Sequence, residues 1–227
     1  MNESFLPADR DRFETALRRF DEENACDPNT HLQDGISAPR ELVYARWLSD
    51  WVLRLKPDAS EALRLAARSA HLCRWEITRG SYPMTRAGYL RWRGDLKKFH
   101  AQKVGEILAE VGYSQDLVTQ VQGLVSKSTF PSDPESRVLE DALCLVFLER
   151  QFGDLASKNS DEKLINALQK TWKKMTPAGQ AIALTLRYEP REKSLLDRAL
   201  GPAEPEIRNP KAEARKKSEI RNPNQSK

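Results

Sequence analysis

The chain holds only three histidines in 227 residues, and two of them fall where an imidazole is costly. His71 lies in "ARSAHLCRWEI" (67–77), at the edge of a Leu63–Ala66–Ala70–Cys73 face if the run is helical. His100 has Leu96 four residues before it and Val104 four residues after it, so a helix places it inside an apolar stripe. A third polar group enters in "VLEDALCLVFLER", where Asp141 falls between Val138 and Leu145 on an apolar stripe and Glu140 lies one step round. A buried imidazole must find hydrogen-bond partners, and a buried carboxylate must be paired with a cation or bound to a metal. The bland account gives each group a local partner. The sharper one joins two imidazoles and a carboxylate from three helices into a site for one divalent ion, with zinc, iron, manganese or nickel suited to that donor set. His71, His100 and Asp141 are then the expected ligands. Glu140 is the reserve ligand and the acid assigned to catalysis, beside a metal-bound water of lowered pKa.

Cations surround these residues: Arg74, Arg79, Arg86, Arg91, Arg93 and Lys97, with Lys127 further on. Arg93 and Lys97 are four apart and share a helix face. Arginines beside such a site suit a phosphate-bearing substrate, which guanidinium grips through paired hydrogen bonds. Arg74, Arg86, Arg93 and Lys97 are the expected substrate-binding residues. The competing account is a solvated basic face interleaved with Glu76 and Asp95.

These residues need helices to position them. Apolar spacing predicts helices over 7–23, 39–55, 60–76, 85–111, 114–125, 134–152, 161–174, 177–187 and 192–200. Thr85, Ser114 and Asp133, the last followed by Pro134, are expected N-caps. The stretches 24–39, 77–85 and 127–136 are rich in turn formers and read as loops. The segment "TRGSYPMTRAGYLRWR" (78–93), which joins the two histidine-bearing helices, is the one most expected to touch a ligand. No segment alternates with period two long enough to predict a strand. The fold class is therefore all-α, a single domain of eight or nine helices over 1–200. Residues 201–227 carry "EIRNP" twice, have no apolar face, and read as a disordered low-complexity tail.

Composition narrows the functional classes. The net charge is +4, but residues 201–227 hold seven Lys/Arg against four Asp/Glu, which leaves the body close to neutral. That argues against a nucleic-acid scaffold, which shows a clearer basic excess. Three cysteines at spacings of 47 and 71 are neither a disulfide framework nor a zinc motif, and fit reduced thiols in the cytoplasm. The start has no basic, apolar leader and no run reaches membrane-spanning length, so no membrane partner is expected. Phosphate-loop, dinucleotide and nucleophile-elbow motifs are absent.

Two resemblances follow from the residues quoted. The order His71, His100, Asp141 on helices resembles the histidine-aspartate (HD) phosphohydrolases, all-helical enzymes that bind metal through a His, a later His-Asp pair and a final Asp. The residue after His100 is Ala101, where that family carries its aspartate. A broader resemblance rests on "PRELVYARWLSDWVLRLKPDASEALRLAARSAHLCRWEI", "YPMTRAGYLRWRGDLKKFHA" and "LEDALCLVFLERQF…KTWKKM". These are similar to an uncharacterised bacterial and fungal family, domain of unknown function 4202, over roughly 10–200. It implies a fold and no activity. Two functions remain open: a metal-dependent hydrolase of a phosphate-bearing small molecule such as a nucleotide, or a non-catalytic helical module that binds a nucleotide, RNA or protein through the basic 74–97 segment.

Overall fold

The computed structural model describes residues 7–33 and 35–201, with the backbone alone at Gln33. The expected tail beyond Gly201 lies outside the described residues. Among the described residues ten α-helices dominate: α1 (Arg10–Ala25), α2 (Arg40–Leu55), α3 (Glu61–Ser69), α4 (Arg86–Glu110), α5 (Gln115–Ser126), α6 (Pro134–Val146), α7 (Phe152–Lys158), α8 (Asp161–Trp172), α9 (Pro177–Ala183) and α10 (Pro190–Leu200). No helix among the described residues is long and apolar enough to cross a membrane.

Local chemistry sets most helix starts. The side chains of Asp9, Ser60, Thr85, Ser114, Asp133 and Thr176 accept from backbone N–H groups in the first turns of α1, α3, α4, α5, α6 and α9, as the orphan donors there require. Prolines open α6, α9 and α10, where a missing N–H costs nothing.

Helix α3 is the hub. It packs on α1, α2, α5 and α6, and Ala62, Leu63, Leu65, Ala66, Ala67 and Ser69 are all buried. Around it Phe20, Leu48, Leu108, Leu124, Leu145 and Phe152 complete the largest fully buried side chains of this layer. Small alanines let neighbouring helices approach closely, and the leucines fill the gaps between them.

The structure corrects the expected elements in three places. The loop expected over 24–39 contains an antiparallel hairpin, β1 (Thr30–Gln33) and β2 (Ile36–Pro39), in which Thr30 pairs with Pro39 and Gln33 with Ile36. Gly35, at φ +80°, serves its tight connection. The helix expected over 60–76 ends at Ser69. A turn follows, Cys73 adopts a left-handed φ of 54°, and a short 3₁₀ turn covers Arg74–Glu76. His71 therefore sits in a turn and not on a helix face. The helix expected over 134–152 continues beyond α6 through a π turn, Phe147–Gln151, into α7. Its middle is apolar and buried: Ala142, Cys144, Leu145, Val146 and Leu148 are all core residues.

Candidate anion-binding cavity

Where α3 unwinds, the Leu72 carbonyl of the following turn faces His100 in the middle of α4. There lies a cavity of about 230 Å³. The turn after α3 contributes His71 and Arg74, α4 contributes Arg93, Lys97 and His100, and Lys127 closes the side at the end of α5. Gln151, the last residue of the π turn, completes the wall. A π turn adds a residue to the helical register and often marks a functional site; here it brings a long amide side chain to the cavity.

Each polar group has a distinct state. His100 is 3% exposed, and its Nδ1 lies 2.8 Å from the Leu72 carbonyl oxygen. Burial, reinforced by the neighbouring His71, lowers its pKa to about 3. His71 stacks on Tyr44 at 4.4 Å and lies 5.8 Å from His100, measured between ring centroids. Burial and then the Arg74 charge hold its pKa well below the ordinary histidine value. Both imidazoles are neutral at pH 7.

A residue the sequence reading missed completes the set. Glu41, in the first turn of α2, is buried. Its Oε2 is 3.5 Å from His71 Nδ1 and has no hydrogen-bond partner, and its Oε1 is 4.0 Å from Arg74 Nε. Burial pushes its carboxyl up to about 7, against the pull of Arg74 and Arg40. Asp27 positions it by accepting from the backbone N–H of Glu41 at 3.0 Å and from Asn29 at the hairpin base.

The cations differ in how well they are matched. Lys127 pairs with Glu140, which also meets Lys174 at 3.3 Å. Burial raises the Glu140 pKa, but the two lysines outweigh it and hold the carboxyl below its usual value. The Arg74 guanidinium lies 5.1 Å from the Trp92 ring centre. Arg93 donates to the Tyr89 hydroxyl at 3.2 Å. Neither Arg93 nor Lys97 forms an ion pair with a carboxylate among the described residues.

The expected metal ligands do not converge. His71 and His100 come together, but Asp141 turns to the other side of α6. Its Oδ1 accepts from the Thr176 backbone N–H at 2.8 Å and its Oδ2 from the Thr176 hydroxyl. It anchors the start of α9. Glu140, the expected catalytic acid, is the counter-ion of Lys127 and Lys174. Among the described residues no group of three or more His, Cys, Asp or Glu is arranged to hold a metal ion. The donor set does not fit a divalent ion. Arg86 is exposed at the start of α4 and does not line the cavity. His31, in the hairpin, packs edge-on against Trp47 of α2.

The loop 77–85 is tied down rather than open. Arg79 donates to the carbonyls of Tyr82 and Pro83, Trp92 to that of Ile77, and Tyr82 to Asp95. Gly88 is buried because the Pro83 carbonyl rests on it, and a Cβ there would overlap that oxygen. Gly88→Ala is expected to lift the loop and lower stability by about 1–3 kcal/mol, read as a fall in the urea midpoint. An unchanged midpoint would show that the loop yields freely.

A family model described as a domain of unknown function (DUF4202) matches residues 14–196. The chain belongs to this family. No curated protein and no solved structure matches it. The family span runs from the middle of α1 into α10 and so contains every residue of the cavity wall.

Proposed function

We propose that the cavity binds the phosphate group of a small molecule. The observation that carries this reading is the convergence of Arg74, Arg93, Lys97 and Lys127 on one concavity beside two neutral imidazoles. Like charges held together in a partly dry site repel one another, and a bound phosphate relieves that repulsion. Among the described residues neither Arg93 nor Lys97 is held by a carboxylate, so both can turn to it. The basic 74–97 segment does not favour RNA as the ligand: Arg79 is spent on loop carbonyls and Arg74 is half-buried against Trp92, so the segment is not a continuous basic face.

Isothermal titration with inorganic pyrophosphate tests the reading. Binding is expected for the native chain, weakened at least tenfold in Arg93→Ala and in Lys97→Ala and weakened further as salt rises. No binding at low ionic strength would end this reading.

A second reading adds hydrolysis, and the closeness of Glu41 to His71 favours it. Two titratable groups with opposed perturbations beside a ligand cavity are suited to moving a proton. His71 would take a proton from water as its oxygen attacks phosphorus. The ester P–O bond breaks, the leaving oxygen takes its proton from water, and His71 returns its own to solvent. Release of inorganic phosphate from a panel of phosphomonoesters in metal-chelating buffer is the check. Binding without release removes this second reading and leaves the first.

A further inference from the structure

The floor of the cavity is chemically unlike its rim. The rim is cationic. At the floor, His100 Nδ1 faces the Leu72 carbonyl oxygen at 2.8 Å. A carbonyl only accepts, so Nδ1 carries the proton and Nε2 carries a lone pair. That Nε2 is buried and has no partner, although the residue lines the cavity. An unmatched buried acceptor lowers stability unless something donates to it. Behind His71, Glu41 Oε2 is a second buried acceptor without a hydrogen-bond partner. The floor therefore asks for donors, whereas a phosphate supplies mainly acceptors.

We propose that the ligand is a hydroxyl-bearing phosphate ester of sugar-phosphate size, with a hydroxyl donating to His100 Nε2 while its phosphate sits among Arg93, Lys97 and Lys127. The inference rests on the phosphate reading above and adds the substrate class. A hydroxyl is preferred to an ammonium because Arg74 and Lys127 repel a second cation. Size points the same way. About 230 Å³ is below the roughly 300 Å³ at which sites for drug-sized ligands begin. A sugar phosphate can be enclosed. The base of a nucleotide would have to leave through the adjoining groove, where Tyr89, Leu90 and Lys174 meet the same Arg93 and Lys97.

The test is a matched set of ligands titrated into the full chain: ribose 5-phosphate, pentyl phosphate with the same phosphate and no hydroxyls, and inorganic phosphate. Ribose 5-phosphate is expected to bind at least tenfold more tightly than pentyl phosphate. His100→Asn keeps a donor for Leu72 and removes Nε2, so it should reduce ribose 5-phosphate to the affinity of pentyl phosphate and leave the latter unchanged. Should that variant not fold, the comparison on the native chain still decides. Equal binding of the two esters overturns the hydroxyl assignment, with water alone satisfying the floor, and leaves the phosphate reading intact. No binding of any of the three overturns both.

Discussion

Replacing Asp141 by alanine is expected to destabilise the protein by about 2–4 kcal/mol, because it removes two charge-assisted hydrogen bonds and leaves the Thr176 N–H without its partner. Asp141 is buried, so water cannot readily take its place. The carboxylate also packs on Gly179, where an added Cβ would lie 2.6–2.8 Å from its atoms; Gly179→Ala should therefore disturb the same joint. Urea unfolding of Asp141→Ala, Thr176→Val and the double variant measures the coupling. If the joint is as described, the double variant costs clearly less than the two singles together. A metal ligand would behave otherwise. Its removal would leave metal-stripped protein no less stable, and would reduce metal content instead.

Glu41→Gln is expected to raise stability at pH 8 by up to about 3 kcal/mol, or roughly 6–12 °C in melting temperature for a chain of this size. The cause is the carboxyl pKa near 7 in the folded protein against 4.5 in the unfolded chain. The folded state holds this proton more tightly, so the penalty is absent below about pH 4.5, grows as pH rises towards 7, and is complete above it. Glutamine mimics the protonated acid and removes the penalty. The histidines slope the other way. His100, with its pKa lowered to about 3, leaves the unfolded chain binding protons more readily below about pH 6.5, so stability falls on acidification through that range. Comparing native and Glu41→Gln proteins across pH 4–8 isolates the Glu41 contribution, since the histidines are common to both. A variant less stable at pH 8 would mean that Arg74 and His71 hold the Glu41 carboxylate in a net favourable pairing, and the burial argument would be wrong.

Much of the helical framework was legible because its signals are local. Thr85, Ser114 and Asp133-Pro134 sit next to the turns they cap, and the stripe through His100 needed only the helical period. The functional groups were less legible because their partners are distant. Asp141 resembled a ligand because its true partner, Thr176, lies 35 residues on. Glu41 was hidden because an acid in the first turn of a helix needs no explanation beyond the helix dipole. Its place on the buried side with Ala45, Leu48 and Val52 was the available clue. The run of helix formers over 67–77 predicts a helix at His71. The break comes from tertiary contacts: the Cys73 N–H meets Asn24 Oδ1 at 3.4 Å, and the Leu72 carbonyl turns to His100. Gln151 depended on a π turn, which apolar spacing does not announce.

That π turn bears on how the chain tolerates gaps. An α-helix turns about 100° per residue, so losing one residue from Phe147–Gln151 would let α6 run straight into α7 while rotating all that follows by that angle. Gln151 would swing away from the cavity, and Phe152, now fully buried, would leave its place. Insertions and deletions elsewhere are usually absorbed by loops. Here the wall of the cavity is set by residue count within a continuous helix, so a change of length at this point alters the cavity even when every side chain facing it is kept.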